Sequence, residues 1–333
     1  MSSKKGTRQA LNRREFIARS AAATVAVSLA PGSLLAEKDR FHPVPSSPLP
    51  KRIFGKTGVK LPILTFGCGS RLMMHDDESA EKILNAAIDS GIIYLDSAHT
   101  YGDGKSEERI GRLMPARRKE VLIQTKIQTR DKDQWWKNLE ISLKRLNVDY
   151  VDTLFLHSLG DDSDLEAMEV KGGAVELLYK AKEQKLTRWI GISSHTNSHV
   201  AVKFLRRYPV DAVQMALNVA TGGMRDMGFE EVALPVALEQ NLGIIAMKVM
   251  GQDEIVGKYP DFDYATCLRY VLSLPVTSAT VGMPKSEHLP MNLEVVRNFK
   301  PLGKEEMQKI KAKAQEEIRT SFFNFMAGHR DLA

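Results

Sequence analysis

The chain from Lys51 onward is built from eight short apolar runs, and each run is followed by a segment with helical periodicity. The eight runs are Ile63–Cys68, Ile92–Asp96, Val121–Lys126, Thr153–His157, Trp189–Ser193, Ala212–Leu217, Ile244–Lys248 and Thr277–Gly282. Strands that alternate with helices run parallel, because each helix returns the chain to the same edge of the sheet. Eight such units predict a single closed (β/α)8 barrel, the TIM barrel fold.

A doubly wound open sheet is the alternative architecture for this pattern. That fold carries a glycine-rich phosphate loop after its first strand. Here the first run leads into "GCGS" at residues 67–70, which lacks the third glycine of a dinucleotide fingerprint. The closed barrel is therefore the prediction.

Three further segments are assigned to the barrel domain. Residues 51–60, with a turn signal at residues 55–58, predict a β-hairpin that closes the barrel floor. Residues 286–296 predict a short extra helix after the eighth strand. The segment Lys304–Arg319 predicts a longer helix that completes the outer ring.

Two of the ring helices have recognisable ends. Residues 78–91 carry apolar side chains on one face and end at Gly91, which is predicted to cap the helix. Residues 133–148 have the same periodicity, and Asp133 is predicted to be the N-terminal cap.

The first 36 residues differ from the rest of the chain in charge and composition. Six basic side chains and one acidic side chain give them a net charge of +5, and an uncharged run follows from Ser20 to Ala30. A Pro31-Gly32 pair precedes a possible cleavage site after Ala36. This layout is typical of a secretory signal, and the uncharged run is shorter than the ~20 residues that cross a bilayer. We therefore expect a removable signal over residues 1–36 and no stable membrane insertion.

The pair Arg13-Arg14, followed by Phe16-Ile17, resembles the twin-arginine motif of bacterial export. The resemblance implies a partner in the twin-arginine export machinery, a periplasmic location and a cofactor that is loaded before export. A cytoplasmic protein with a basic tail is the alternative. Residues 37–50 contain four prolines and predict an extended linker, so the barrel domain covers residues 51–333.

Charge and cysteine content argue against several kinds of partner. The whole chain has a net charge of +6, but residues 1–36 hold most of it, so the barrel lacks the basic face of a nucleic-acid binder. Cys68 and Cys267 have mostly apolar neighbours and are predicted to be buried and unpaired. His195 and His199 have the spacing of two metal ligands on a helix, but no third ligand is visible and no metal site is predicted.

Polar side chains end three consecutive apolar runs. Asp96, Lys126 and His157 end the second, third and fourth runs, and Tyr101 lies in the loop after Asp96. Active sites of (β/α)8 barrels form at the carboxyl ends of the strands. We therefore expect these four side chains to converge at one rim.

Their chemistry suits proton donation to a carbonyl oxygen. A free tyrosine has a pKa of ~10 and is a poor proton donor at neutral pH. An ammonium such as that of Lys126 lowers the pKa of a nearby phenol by stabilising the phenolate, and Asp96 would hold that ammonium in place. Tyr101 would then act as the general acid, and His157 would orient the carbonyl through a hydrogen bond.

Four stretches resemble the aldo-keto reductase family. They are "DSAHTYG" at residues 96–102, "NLEISLKRLNVDYVDTLFLH" at 138–157, "RWIGISSH" at 188–195 and "TVGMPKSEHLPMNLEVV" at 280–296. The likeness runs from about Lys51 to Arg319. It implies hydride transfer from a nicotinamide cofactor to a carbonyl, with the family's catalytic tetrad on Asp96, Tyr101, Lys126 and His157.

The resemblance also implies a cofactor site, with NADPH as the expected cofactor, NADH left open, and the molecule extended over the barrel mouth. The corresponding contact positions are Ser193, Ser194, Gln214, Met247, Lys248, Gly282, Lys285, His288 and Asn292. Gln214 is expected on the carboxamide and Asn292 on the adenine. Ser194 and Met247 replace the family's usual asparagine and tyrosine at the nicotinamide, and His288 replaces an arginine that binds the 2′-phosphate.

Two functions remain open on these observations. One is an exported carbonyl reductase that uses NAD(P)H to reduce an aldehyde, ketone or quinone. The other is an exported redox sensor or accessory subunit that keeps a nicotinamide cofactor with little turnover. The Trp135-Trp136 pair is compatible with a substrate pocket or with packing at a helix start, and His99 is assigned no role.

Overall fold

The structure, a computed structural model, describes residues 48–224 and 226–328. The predicted signal over residues 1–36 lies outside the described residues, as do linker residues 37–47 and residues 329–333. The barrel predicted from the eight apolar runs is confirmed, because eight parallel strands close into a ring in the described part of the chain.

Two short strands precede the eight strands of the barrel. The strands are β1 (Lys51–Ile53), β2 (Lys60–Pro62), β3 (Leu64–Gly67), β4 (Tyr94–Asp96), β5 (Leu122–Ile127), β6 (Val151–Leu156), β7 (Thr187–Ser194), β8 (Ala212–Ala216), β9 (Gly243–Met247) and β10 (Ser278–Gly282). Barrel strands pair in chain order, and β10 closes the ring against β3 with Val281 opposite Phe66.

Helices follow the strands around the outside of the barrel. They are α1 (Ser70–Met73), α2 (Asp77–Asp89), α3 (Lys105–Arg117), α4 (Lys132–Arg145), α5 (Asp162–Glu169), α6 (Ala174–Glu183), α7 (Ser198–Arg207), α8 (Ala233–Glu239), α9 (Tyr264–Ser273), α10 (His288–Arg297), α11 (Lys304–Glu317) and α12 (Arg319–Gly328). Short 3-10 turns lie at Gly55–Thr57, Tyr101–Gly104, Arg118–Glu120 and Gly251–Asp253.

Of the two helix ends predicted from the sequence, the end of α2 at Gly91 is confirmed and the start of α4 at Asp133 is wrong. Gly91 does cap α2: its φ is 95° and its N–H bonds to the carbonyl of Ile88. Asp133 as the cap of α4 is wrong. The cap is Asp131, whose extended backbone lets its carboxylate accept the N–H of Gln134 at 2.8 Å, so the helix begins earlier than predicted.

The segments around the barrel are as predicted, with one correction. Strands β1 and β2 pair antiparallel, which confirms the hairpin, and α10 is the extra helix expected after the eighth strand. The helix predicted over Lys304–Arg319 instead ends at Glu317, and a second helix starts at Arg319. Ile318 between them is fully buried, and its φ of −112° interrupts the helical backbone.

The hairpin fills the end of the barrel where the strands begin. The buried cluster at this end consists of Phe54, Leu61, Tyr94, Leu122, Phe155, Trp189, Ala212 and Ile245. The ring of Phe54 meets the rings of Trp189 and Tyr94 edge-on, with centroids 5.4 Å and 6.1 Å away. Gly243 leaves the space for this ring, since a Cβ there would lie 2.2 Å from it. These side chains close the floor of the barrel.

Two expectations from composition can be compared with the structure. Cys68 and Cys267 are both buried and unpaired, as predicted, and burial raises the pKa of the Cys267 thiol to about 12. None of the helices in residues 48–224 and 226–328 has both the length and the apolar character of a membrane span.

We expect Phe54→Ala to lower the free energy of unfolding by about 3–5 kcal/mol, because it empties the centre of a packed cluster. Phe323→Ala is the matched control: Phe323 is 43% exposed, so its truncation should change stability by less than about 0.5 kcal/mol. Urea unfolding followed by circular dichroism measures both. Equal effects of the two substitutions would contradict the role of Phe54 as a floor residue.

Candidate active site

The four side chains predicted to converge lie together at the carboxyl end of the barrel. Asp96 ends β4, Lys126 lies near the end of β5, His157 follows β6, and Tyr101 opens the 3-10 turn after β4. The Lys126 Nζ lies 2.5 Å from Asp96 Oδ1 and donates to the Tyr101 hydroxyl at 3.2 Å. The rings of Tyr101 and His157 meet edge to face with centroids 5.6 Å apart. Three neighbouring strands thus bring one acid, one ammonium, one phenol and one imidazole to a single rim.

The Lys126 ammonium has a hydrogen-bond partner for each of its three protons. Besides Asp96 and Tyr101 it donates to the carbonyl of Ser97 at 2.8 Å. Lys126 is fully buried and Asp96 is 3% exposed. Removing two charges from water costs several kcal/mol per ion unless the pair is in contact and well hydrogen-bonded, as it is here. The result is a fixed positive charge beside the phenol oxygen, which stabilises the phenolate form of Tyr101.

Two buried glutamines hold the carboxylate of Asp96, a role not predicted from the sequence. Gln124 Nε2 donates to Asp96 Oδ1 at 2.6 Å, and Gln214 Nε2 donates to Asp96 Oδ2 at 2.7 Å. The oxygen of Gln214 accepts a second bond from Gln124 at 2.9 Å. A signal for Gln124 existed, because it stands two residues before Lys126 and so shares its inward face on a strand.

Gln214, which was predicted to contact the cofactor, bonds Asp96 and Gln124 in the structure. Its side chain is fully buried beneath Asp96, and both ends of its amide are bonded within the barrel. It does not line the cleft described below. The predicted contact with a carboxamide stays a prediction, and the contact observed is with Asp96.

Ser193 and Ser194 also bond inside the protein. Ser193 Oγ accepts the N–H of Ser158 at 2.9 Å, and Ser194 Oγ donates to the carbonyl of Leu159 at 2.7 Å. Ser158 directly follows His157 and has a left-handed backbone with a φ of 56°. The two serines thus hold the loop that carries His157. Neither lines the cleft, so their predicted cofactor contacts stay predictions.

Arg130 supports the same loop, and no sequence pattern pointed to it. Its guanidinium pairs with both oxygens of Asp164, at 2.7 Å and 2.8 Å, and also donates to the carbonyl of His157 at 2.8 Å. A bidentate pair fixes orientation as well as distance. Arg130 therefore ties the backbone of His157 to α5.

An open cleft leads away from Tyr101 and Asp96 along the loops after β3, β9 and β10. Three residues predicted to contact the cofactor, Met247, Lys248 and Gly282, line it. Lys248 has a φ of 59°, and residues held in this left-handed region cluster at ligand sites. The lining includes the cations Arg71 and Lys248, which favour an anionic ligand.

His288 and Asn292 lie behind Tyr264 and do not line the cleft themselves. Tyr264 lines the cleft and packs against His288 with ring centroids 4.8 Å apart and ring planes tilted by 36°. Asn292 donates from Nδ2 to the carbonyl of His288 at 2.7 Å, while its buried Oδ1 accepts no hydrogen bond. An unsatisfied buried acceptor costs about 1–3 kcal/mol, and an amino group of a bound ligand would satisfy it. Asn292 Oδ1 is therefore a buried acceptor that a hydrogen-bond donor of a bound ligand could satisfy.

Lys285 and His288, two of the predicted cofactor-contact positions, differ in exposure. Lys285 is exposed and lies 4.0 Å from Glu287, so it presents a single point charge at the surface. His288 is buried, and burial lowers the pKa of its imidazole below the usual value. The ring is therefore neutral at pH 7 and does not supply the fixed charge of an arginine.

His99 belongs to the contact with α4 and not to the tetrad. Its Nδ1 lies 3.0 Å from the hydroxyl of Ser142 and 3.5 Å from Arg145 Nη1. Burial, followed by the charge of Arg145, lowers the pKa of His99 to about 4. The imidazole is neutral at physiological pH and acts as a structural hydrogen-bonding group.

The remaining residues singled out in the sequence do not reach the cleft. Trp135 is fully buried, its ring centroid lies 6.1 Å from that of Trp136, and neither ring lines the cleft, which favours packing. His195 precedes Asn197, the cap of α7, whereas His199 lies in that helix and is exposed. Among the described residues no group of three or more His, Cys, Asp or Glu side chains is placed to hold a metal ion.

The two interpretations of Gln214 predict different results for Gln214→Leu. If its amide holds Asp96, the substitution leaves a carboxylate oxygen without a donor and lowers the free energy of unfolding by about 2 kcal/mol, with nucleotide affinity unchanged. Gln240→Leu, which removes only a partly buried bond to the carbonyl of Leu205, is the control. Urea unfolding and fluorescence titration with NADPH measure the two quantities. Unchanged stability with a higher Kd would instead support the carboxamide contact.

The chain is similar to known proteins in sequence. The sequence profile of the Aldo/keto reductase family matches residues 65–264. The chain is 28% identical over 233 residues to the NADP(+) aldo-keto reductase yakc of Schizosaccharomyces pombe, an alignment that covers 65% of each chain. It spans just under two thirds of the length of this relative and of two further curated ones.

Solved structures show the same fold. An aldo-keto reductase from Bacillus halodurans, in its holo form, has a TM-score of 0.68 at 22% identity, over 81% of this chain and 99% of that one. An aldo-keto reductase from Klebsiella pneumoniae in complex with NADPH has a TM-score of 0.61 at 21% identity, over 80% of this chain and 95% of that one. With more than half of its length matched by the family profile, the chain belongs to the aldo/keto reductase family.

Proposed function

We propose that this protein is an NADPH-dependent carbonyl reductase that acts on an aldehyde, ketone or quinone. The observation that carries the proposal is the position of the Lys126 ammonium, which contacts both Asp96 and the Tyr101 hydroxyl at the inner end of an open cleft. The relative from Schizosaccharomyces pombe, which carries NADP(+) in its name, and the Klebsiella structure in complex with NADPH support the choice of cofactor.

The cofactor, when bound, supplies a hydride to the carbonyl carbon. The chain's own residues supply the proton and the orientation. Tyr101 donates its hydroxyl proton to the carbonyl oxygen, and Lys126 stabilises the phenolate that remains. His157, beside the phenol ring, is placed to orient the carbonyl oxygen.

Three of the residues that would hold the cofactor line the cleft, and Asn292 lies outside its lining. Met247 would pack on the nicotinamide side and Lys248 would face the negatively charged diphosphate. Gly282 leaves its part of the wall without a side chain. Asn292 Oδ1 would accept a hydrogen bond from the amino group of the adenine.

We expect Tyr101→Phe to reduce kcat by about 100- to 10,000-fold, because it removes the proton donor but keeps the ring. NADPH affinity should not change. Tyr259→Phe removes a hydroxyl that bonds Ser321 away from the tetrad and is the matched control. The measurement is the loss of NADPH absorbance with a panel of aldehydes, ketones and quinones, repeated with NADH. Tight nucleotide binding without turnover by the unmodified protein would contradict the reductase and favour a sensor.

We also propose that residues 1–36 direct the protein to the periplasm by the twin-arginine route. The support is the Arg13-Arg14 pair ahead of an uncharged run that is too short to span a bilayer. The segment also has a net charge of +5, and a Pro31-Gly32 pair follows its uncharged run.

Replacing both Arg13 and Arg14 with lysine keeps the charge and removes the pair, so the protein should accumulate in the cytoplasm. The control changes Arg8 and Arg19 to lysine, which conserves the same charge outside the pair. Fractionation of bacterial cells followed by immunoblotting gives the result. Periplasmic protein from the Arg13/Arg14 variant at the level of the control would contradict this route.

A further inference from the structure

The turn that carries Tyr101 has three consecutive residues with left-handed backbone. Gly102, Asp103 and Gly104 have φ values of 57°, 53° and 94°. Glycine adopts this region readily, but Asp103 does so against the steric preference of a residue with a Cβ. Such a backbone persists only where the surrounding structure holds it. Residues that contact this turn therefore decide where the Tyr101 hydroxyl lies.

Arg145, the last residue of α4, makes that contact on both sides of Tyr101. Its Nη1 donates to the carbonyl of His99 at 3.2 Å, and its Nη2 donates to the carbonyl of Asp103 at 3.1 Å. These carbonyls belong to the residues two before and two after Tyr101. The guanidinium packs directly on Gly104, where a Cβ would lie 2.0 Å from Arg145 Cζ.

The guanidinium is itself held by a buried carboxylate. Glu107 is fully buried, and its Oε2 lies 3.6 Å from Arg145 Nη1. Its other oxygen accepts a hydrogen bond from Thr125 at 2.6 Å, and Thr125 is the residue before Lys126 on β5. Burial raises the pKa of Glu107, and the adjacent cation of Arg145 opposes that rise. One chain of contacts thus links the strand that bears the ammonium to the turn that bears the phenol.

We propose that Arg145 is a positioning residue that keeps the Tyr101 hydroxyl on the Lys126 ammonium by holding the carbonyls of His99 and Asp103. The inference rests on the proposed role of Tyr101 as the proton donor. Arg145 does not line the cleft, and its bonds go to backbone carbonyls that flank Tyr101, so it acts through the backbone of the turn.

The geometry requires an arginine. Two nitrogens of one planar group reach two carbonyls that flank Tyr101, whereas a lysine ammonium is a single point and cannot span both. Arg145→Lys keeps the charge near Glu107 but loses one or both carbonyl bonds. Tyr101 then spends less time on Lys126, and a displacement of about 1 Å is enough to slow a reaction about 100-fold.

The experiment compares Arg145→Lys with Arg117→Lys. Arg117 is the last residue of α3, is similarly buried, and binds Asn85, Asp89 and Glu120 on the outside of the barrel. We expect Arg145→Lys to lower kcat by about 10- to 100-fold with KM and the Kd for NADPH unchanged. The alkaline limb of the kcat–pH profile should move to higher pH, because the phenol loses part of its contact with the ammonium. Arg117→Lys should change none of these.

A second measurement does not depend on turnover. Hydrogen–deuterium exchange should become faster in peptides that cover residues 97–104 of Arg145→Lys and stay slow in Arg117→Lys, because the N–H groups of His99, Tyr101 and Asp103 are bonded in the intact turn. Guanidinium ions added to Arg145→Ala should recover part of the lost kcat.

Two results would overturn the inference. One is unchanged exchange over residues 97–104 in Arg145→Lys. The other is a loss of kcat no larger than that of Arg117→Lys. If the unmodified protein shows no turnover with any carbonyl, the proposed function fails, and hydrogen exchange alone then decides the role of Arg145.

Discussion

The ion pair of Lys126 and Asp96 is the interaction on which the site depends. Two charges with almost no solvent exposure are stable only when every hydrogen-bonding position around them is filled. Lys126 has three acceptors, and the carboxylate of Asp96 has donors from Lys126, Gln124 and Gln214. Because this group of contacts is complete, the ammonium cannot move without leaving a buried charge unpaired. Tyr101 gains a cation at a fixed position.

The barrel supplies that environment in layers. Aromatic and aliphatic side chains around Phe54 fill the floor, and the amides of Gln124 and Gln214 lie above them. The charged pair and the phenol come last, at the carboxyl ends of the strands. Side chains alternate in direction along a strand, so Gln124 and Lys126 on β5 occupy successive inward positions. Each layer supports the one above it and excludes water from beneath the ion pair.

The loops that carry His157 and Tyr101 are held by side chains that bond backbone atoms. Arg130, Ser193 and Ser194 bond the backbone around His157, and Arg145 bonds the backbone around Tyr101. These residues act on carbonyls and N–H groups, which are present whatever the side chain is. No residue type or spacing in the sequence marks a bond of this kind, so these supports were not predicted.

The sequence by itself determined the (β/α)8 class, the hairpin and the rim on which Asp96, Tyr101, Lys126 and His157 lie, because these follow from local periodicity and from which residues end a strand. Its errors were local as well: Asp131 and not Asp133 caps α4, and Ile318 interrupts the last predicted helix. Only the tertiary structure decided that Gln214 holds Asp96 and that Arg145 spans the turn of Tyr101. These contacts join residues 118 and 42–46 positions apart, and a separation of that size carries no pattern until the chain has folded.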